Sequence, residues 1–287
     1  MTLLRFLITV GLLAFEVSHA QAQDVPKLQF VAQELLYLDQ QHLKEPSGLD
    51  AQQNFGGFWT VSDGYAGLYS LIAPSARIDA IHHLPYQGLE GVSAGWTDGV
   101  HLMVQEETNS IIVHNTKNPE NTAQLPLSKM DGYETISVYF DGPETNKGLE
   151  GIAVDRGEQR IFVVKEAQPR LLIEISSNLD QIVGHKKLNS KHGFHVRGLK
   201  DHNLDISGLY YDSHRDALWM ASDRGACVFL YDPKTNEALR LEMHFDGDNA
   251  PDLEGIEGIT LSASGEFLYL VSDAGRASSL FTFRVLD

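Results

Sequence analysis

The sequence predicts an all-β protein, a five-bladed β-propeller in which a strand from the N-terminal part of the chain completes the last blade. Three observations lead to this prediction. A short glycine-centred motif occurs five times, a strand-like run ending in an acid follows each copy at a fixed interval, and the segments between the copies vary in length. Repeats of about 40 to 50 residues built from short β-rich runs are typical of propeller blades.

Each repeat begins with a motif of five residues whose fourth position is glycine. The five copies are Glu45-Pro-Ser-Gly-Leu, Gly88-Leu-Glu-Gly-Val, Gly148-Leu-Glu-Gly-Ile, Asp205-Ile-Ser-Gly-Leu and Gly255-Ile-Glu-Gly-Ile. An apolar run follows each motif and ends in an acid 15 residues after the glycine. These acids are Asp63, Glu106, Glu166, Asp223 and Asp273. The constant interval indicates a rigid inner hairpin, and the variable spacing between copies places insertions in surface loops.

Further strands are expected outside this hairpin. A third run follows each acid, for example Gly67 to Ile72, and a fourth follows in the first four repeats, for example Ala238 to His244. The run Leu28 to Leu38 precedes the first motif and is expected to supply the strand that the fifth repeat lacks, which removes an exposed sheet edge. Tyr133 to Phe140 reads as an extra strand, so a propeller of six blades is the alternative.

The first residues of the chain do not fit the repeat. Arg5 precedes an apolar run from Phe6 to Phe15, and small residues follow at the spacing that signal peptidase requires. We therefore expect a signal peptide over residues 1–22, a single propeller domain over residues 23–287, and an exported protein of the periplasm or cell envelope. The apolar run is shorter than the about 20 residues of a membrane span, so membrane attachment is expected only if the signal is uncleaved.

Composition narrows the choice of partners. The formal net charge of −17 argues against nucleic acid, because a phosphate backbone is bound by clustered Lys and Arg. The excess of carboxylate suits cation binding or, more simply, solubility. Cys227 is the only cysteine, so no intramolecular disulfide can form. Stability must therefore come from packing, from closure of the propeller, and from any bound metal.

The repeats place carboxylates at equivalent positions around the channel. Glu90, Glu150 and Glu257 stand directly before the repeat glycine, and the two motifs with Ser there carry Glu45 and Asp205 instead. If the inner hairpin brings these residues to the five acids that end the next run, ten carboxylates meet at one mouth of the channel. Such a ring must bind cations, raise its pKa values or turn towards water. Oxygen ligands alone favour calcium, with magnesium the less suitable ion.

Turn formation is the competing explanation for these residues. A glycine before a strand is also selected by positive φ alone, and Ser-Asp-Gly is a common turn sequence. Gly91-Val-Ser-Ala-Gly95 has the Gly-x-Ser-x-Gly spacing of a nucleophile elbow, but it overlaps a repeat motif of a predicted all-β fold, whereas an elbow needs a strand-to-helix turn. No phosphate-binding glycine loop occurs in the sequence. We therefore interpret the chain first as a non-enzymatic, calcium-binding propeller with Glu90, Glu150 and Glu257 as its principal ligands and an acidic face open to an envelope protein or a small ligand.

Longer motifs connect the chain to a known family. They include Trp59-Thr-Val-Ser-Asp63, Asn146-Lys-Gly-Leu-Glu-Gly-Ile-Ala-Val-Asp155 and Val163-Val-Lys-Glu166. With these motifs the sequence resembles the SdiA-regulated (YjiK/CarP) family of bacterial β-propeller proteins. The resemblance implies an exported or envelope-associated propeller with a calcium site, linked in some members to calcium homeostasis.

The sequence is also distantly similar to β-propeller phytases, which hydrolyse phosphate esters through calcium ions in an acidic channel. It lacks the visible cluster of Lys and Arg around the acids that would hold a polyanionic substrate. A calcium-dependent phosphoester hydrolase is therefore one alternative function. A protein-binding propeller without metal is the other.

Overall fold

The computed structural model describes residues 25–36, 43–52, 56–141, 147–246 and 250–287. Within these ranges the chain forms a five-bladed β-propeller, which confirms the predicted fold class. No helix in the same ranges is long and apolar enough to cross a membrane. The signal peptide expected over residues 1–22 lies outside the described residues.

The strands of the propeller are numbered in chain order, and β1 spans Lys27–Leu35. Blade 1 contains β2 (Pro46–Ala51), β3 (Gly57–Ser62), β4 (Gly67–Ile72) and β5 (Arg77–His83). Blade 2 contains β6 (Leu89–Ala94), β7 (Val100–Gln105), β8 (Ser110–Asn115) and β9 (Ala123–Pro126). Blade 3 contains β10 (Leu149–Asp155), β11 (Arg160–Lys165), β12 (Leu171–Ile175) and β13 (Ile182–Lys187).

Blade 4 contains β14 (Gly208–Asp212), β15 (Ala217–Ser222), β16 (Cys227–Asp232) and β17 (Glu237–Arg240). Blade 5 contains β18 (Met243–His244), β19 (Ile256–Leu261), β20 (Phe267–Ser272), β21 (Ser279–Leu286) and the early strand β1. Short 3₁₀ turns lie in the connections, at Pro119–Asn121, Leu127–Lys129, Tyr133–Thr135, Ser137–Tyr139, Ser190–His192, Asp201–Asn203 and Gly275–Ala277. The innermost strands β2, β6, β10, β14 and β19 contact one another in a closed ring around the axis.

The early strand closes the propeller as predicted. β1 pairs antiparallel with β21, from Lys27 opposite Leu286 to Leu35 opposite Ser279. β18 then adds to the outer side of β1 as a parallel strand. The prediction of one fourth strand from Ala238 to His244 is therefore wrong. The segment forms two strands, of which β17 stays in blade 4 and β18 crosses to blade 5. The backbone N–H of Leu28, which donates to the Glu242 carbonyl at 2.8 Å, helps to hold this crossing.

The extra strand considered at Tyr133 to Phe140 does not form. Gly132, at φ 83°, starts two successive 3₁₀ turns instead. Ile136 between the turns is fully buried in the apolar layer between blades 2 and 3. Tyr133, Tyr139 and Phe140 pack partly against the same layer, whereas Val138 is exposed. The chain therefore makes compact turns here, and no sixth blade arises.

Apolar side chains fill the space between neighbouring blades. One cluster occupies each of the five interfaces, as shown by Leu68 between blades 1 and 2, Ile152 between 2 and 3, and Phe229 between 3 and 4. Leu270 and Tyr69 represent the interfaces of blade 5 with blades 4 and 1. Because the core is a ring of interfaces, each blade depends on both of its neighbours.

The repeat glycines form a second ring at the centre of the molecule. A Cβ atom on any of them would lie 2.5 to 3.1 Å from a heavy atom of the next blade. The ring consists of Gly48, Gly91, Gly151, Gly208 and Gly258. Only Gly48 has a positive φ, of 63°, so close approach of the inner strands explains the repeated glycine better than turn geometry does. Across the axis, Cα atoms of β14 come within 8 Å of Cα atoms in β2 and β6.

Candidate metal centre

All ten predicted carboxylates line one cavity, of about 380 Å³, at the end of the channel where the innermost strands begin. They are Glu45, Asp63, Glu90, Glu106, Glu150, Glu166, Asp205, Asp223, Glu257 and Asp273. Every blade supplies two of them, one just before or at the start of its innermost strand and one directly after its second strand. We call this end of the channel the acidic mouth.

Backbone hydrogen bonds bring the two sets of acids together within a blade. The N–H of Asp63 donates to the Glu45 carbonyl at 3.1 Å. In blade 2 the N–H of Glu106 donates to the Gly88 carbonyl at 3.1 Å, and in blade 3 the N–H of Glu166 donates to the Gly148 carbonyl at the same distance. The constant 15-residue interval in the sequence therefore reflects a fixed closure of the inner hairpin.

The glutamate before each repeat glycine occupies an irregularity of its strand. Glu90 has no partner in the register between Leu89 and Gly91, and the same shift occurs at Glu150 and Glu257. A β-bulge leaves one residue unpaired and turns its side chain away from the regular alternation. The bulge explains how the glutamate side chain reaches into the channel although the next residue is the repeat glycine, which packs against the neighbouring blade.

Serine replaces this glutamate in blades 1 and 4 and links neighbouring blades. The Ser47 hydroxyl donates to the Glu90 carbonyl at 2.7 Å, and the Ser207 hydroxyl donates to the Ile256 carbonyl at 2.6 Å. Both acceptors lie on the innermost strand of the next blade. These two positions therefore hold the ring together and supply no carboxylate.

Three of the ten side chains meet most closely. One carboxylate oxygen from each of Glu106, Glu150 and Glu166 lies within 4.8 Å of the other two. Two oxygens bound to the same calcium ion at 2.3–2.6 Å are at most about 5 Å apart, so this trio fits a single coordination shell. Of the three principal ligands expected from the sequence, only Glu150 belongs to the trio, while Glu90 and Glu257 line the surrounding cavity.

Burial and mutual repulsion shift the acids towards their protonated forms. Burial raises the pKa of Glu90 to about 8, and the charge of Asp63 adds to the rise. Burial also raises the pKa of Glu150 well above its usual range, with further contributions from Glu90 and Glu257. The pKa of Glu257 rises for the same reasons. A cation bound here would replace the protons that otherwise neutralise the cavity.

Two of the ten acids accept hydrogen bonds that stabilise nearby turns. Asp205 accepts hydrogen bonds from the Ser222 hydroxyl at 2.6 Å and from the Arg224 backbone N–H at 3.2 Å. Asp223 accepts one from the Gly255 N–H at 2.7 Å, across to the next blade. The turn explanation therefore applies to these two acids. Glu106 of the trio makes the bond equivalent to that of Asp223, since its side chain accepts the Gly148 N–H at 3.2 Å.

Two basic residues also line the cavity, and the repeat did not reveal them. Arg224 lies 3.7 Å from a Glu166 oxygen and 3.8 Å from an Asp205 oxygen. Burial raises the pKa of Glu166, and the positive charges of Arg224 and Lys147 oppose that rise. The sequence did contain a signal for Arg224, since it directly follows the repeat acid at a position where the other blades have Gly, Glu or Ala.

Fold and site together define a propeller whose channel mouth carries carboxylates from every blade. The model of the SdiA-regulated family matches residues 23–280, and the chain belongs to that family. This result confirms the resemblance found in the sequence. A comparison with curated protein sequences finds no match.

Solved structures with a similar fold come from several kinds of protein. The glutaminyl cyclase of Myxococcus xanthus is 14% identical with a TM-score of 0.54, and the match covers 91% of this chain and 100% of that one. A streptogramin B lyase is 12% identical with a TM-score of 0.50, covering 91% and 98% of the two chains. A chain of a nidogen/laminin complex is 11% identical with a TM-score of 0.51, covering 80% and 73%. At these identities the similarity concerns the fold alone.

Proposed function

We propose that this protein is an exported, calcium-binding β-propeller without enzymatic activity, linked to calcium homeostasis or to interactions at the cell envelope. The observation that supports it is the acidic mouth, where ten carboxylates share one cavity of about 380 Å³. So many like charges in a confined space need a counter-ion or protons. Export rests on the signal peptide expected over residues 1–22.

Glu106, Glu150 and Glu166 would hold the ion, with Glu90 and Glu257 beside it. A bound divalent ion would supply positive charge at the point where blades 2 and 3 meet and would tie their inner turns together. The cavity offers only oxygen ligands in a flexible arrangement, which suits calcium better than the small octahedral shell of magnesium. The carboxylates left free on the rim would face an envelope protein or a small ligand.

Thermal unfolding of the chain from residue 23 tests calcium binding. The protein is stripped with chelator and titrated with calcium or magnesium, because an ion that binds only the native state raises the midpoint by mass action. At a calcium concentration 100 times the dissociation constant we expect a rise of roughly 5–10 °C. Glu150→Gln should remove the rise without lowering the midpoint in chelator, since the amide keeps the shape and takes one acid out of a crowded, buried group.

Glu120→Gln is the matched control, because Glu120 is exposed and far from the cavity. It should respond to calcium like the unaltered protein. A midpoint that does not move with either ion would contradict the proposal and favour the metal-free, protein-binding propeller. An equal response to magnesium and calcium would contradict the choice of ion.

A calcium-dependent phosphoester hydrolase is the second candidate, and Arg224 and Lys147 favour it. Both line the acidic mouth, where cations could help to hold a phosphate group. In such an enzyme the ions would neutralise the substrate and lower the pKa of an attacking water. Calcium-dependent turnover of para-nitrophenyl phosphate that is lost in Glu150→Gln and kept in Glu120→Gln would support this function over the first.

A further inference from the structure

The opposite end of the channel holds a second chamber, of about 550 Å³. It lies where the innermost strands end, and residues from all five blades line it. It shares no lining residue with the acidic mouth. We call it the second mouth.

A repeat position that differs from blade to blade shapes this chamber. Two residues after each repeat glycine the side chain is Asp50, Ser93, Ala153, Tyr210 or Thr260. Asp50, Ser93 and Tyr210 line the chamber directly, and Thr260 lies behind Asp50 with its hydroxyl 3.5 Å from an Asp50 oxygen. The ring therefore presents different polar groups on different sides, unlike the uniform carboxylates of the acidic mouth.

Asp50 is a buried carboxylate without a cationic partner. Its side chain accepts the Ala94 N–H at 2.6 Å, and the residue is only 6% exposed. No Lys, Arg or His nitrogen of the described residues lies within 4.0 Å of it. Burial raises the pKa of Asp50 to about 6, and the Ala94 hydrogen bond and the positive charge of Arg156 oppose that rise. A buried charge without a partner is costly, and an ammonium group would satisfy it.

Arg156 faces the same chamber from blade 3. Its guanidinium donates one hydrogen bond, to the Ala94 carbonyl at 3.2 Å, and pairs with no carboxylate in the described ranges. The hydroxyls of Ser93 and Tyr210 likewise form no hydrogen bond within the part of the chain that the structure describes. One negative group, one positive group and two hydroxyls thus line one cavity, and among the described residues no hydrogen bond or salt bridge joins any two of them.

We infer that the second mouth binds a small zwitterion of the α-amino-acid class. Its ammonium group donates to Asp50, its carboxylate accepts from Arg156, and the hydroxyls of Ser93 and Tyr210 complete the polar contacts. Val154 and Leu261 supply apolar wall for a side chain. A simple anion would be repelled by Asp50, and a divalent metal would find only one carboxylate.

Isothermal titration calorimetry at pH 7.5 with the twenty free L-amino acids tests this inference. For the amino acid that binds best, two analogues serve as controls: its amide, which lacks the carboxylate, and its deaminated acid, which lacks the ammonium group. Both analogues are expected to bind at least tenfold more weakly than the amino acid. Binding of the deaminated acid at equal strength would show a plain anion site and overturn the inference, as would the absence of binding by all twenty at millimolar concentration.

Two variants assign the contacts. Arg156→Met should weaken binding at least tenfold while leaving the unfolding midpoint unchanged, because Arg156 is exposed and makes one hydrogen bond. Tyr210→Phe removes one hydroxyl and should weaken binding severalfold. Unchanged affinity in both variants would overturn the assignment of the ligand to this chamber. The calcium response of the acidic mouth plays no part in this test, so failure here leaves the proposed function intact.

Discussion

The two mouths of the channel are built from opposite ends of the same five strands, and their lining residues differ in chemical character. At the acidic mouth one residue type repeats around the axis, and ten carboxylates share one cavity with two basic side chains. At the second mouth the equivalent position changes in every blade, from Asp50 to Ser93, Ala153, Tyr210 and Thr260. Repetition concentrates a single kind of ligand, as a metal ion requires, whereas variation produces the asymmetric surface that recognises an organic molecule.

The largest expected effect concerns the pH dependence of the acidic mouth. A carboxyl whose pKa is raised in the folded state stabilises the protein most below its usual pKa of 4.5, and this stabilisation is lost as pH rises to the folded value, about 8 for Glu90. The chelated protein should therefore lose on the order of a few kcal/mol between pH 4.5 and 8. Urea unfolding at several pH values measures the loss.

Calcium and a single substitution sharpen this test. Saturating calcium should restore stability at pH 8, because the ion takes the place of the protons. Glu90→Gln should flatten the profile in chelator, since it removes one of the titrating groups. If the chelated protein became more stable between pH 4.5 and 8, the carboxylates would be less crowded than the structure indicates.

The second effect concerns the glycine ring between the mouths. In Gly151→Ala the new methyl group would lie 2.9 Å from both Leu209 Cβ and Val164 Cγ1, and such overpacking costs about 1–3 kcal/mol. Gly184→Ala is the matched control, because apart from the adjacent residues no heavy atom lies within 4 Å of a Cβ added there. Urea midpoints should fall for the first variant only, and equal midpoints would show that the inner strands have room to separate.

The smallest expected effect is a difference in calcium affinity between variants of Arg224 and Arg156. Arg224→Gln removes a positive charge beside Glu166 and should raise the calcium affinity about fivefold, which corresponds to roughly 1 kcal/mol. Arg156→Gln removes a charge of the same sign at the other mouth and should leave calcium affinity unchanged. Calorimetric titration with calcium compares them, and equal effects would mean that the mouths are not electrostatically separate.

The sequence predicted the parts of the fold that repeat. The constant interval from Gly91 to Glu106, and from its counterparts to their acids, follows from the backbone hydrogen bonds that close each inner hairpin. The closing strand β1 was also predictable, because the fifth repeat offers only three runs. Tyr133 to Phe140 and Ala238 to His244 were read incorrectly. Apolar character alone does not distinguish a strand from two turns on either side of one buried residue, or from a chain that crosses to the next blade.

The candidate site was predictable in composition and only partly in arrangement. All ten carboxylates lie where the repeat placed them, yet which of them meet depends on strand irregularities that the spacing does not encode. Glu106 and Glu166 thus stand with Glu150, where the sequence favoured Glu90 and Glu257. Arg224 and Arg156 were missed because each occurs in a single blade, and a search for repeated residues passes over such positions.

The glycine ring has a consequence for how the channel works. The inner strands touch backbone to backbone, and the two chambers share no lining residue. The ring of close backbone contacts therefore lies between two cavities at opposite ends of the axis. Both cavities are lined by the two ends of the same five strands, so an occupant of one cavity that shifted these strands would also change the shape of the other.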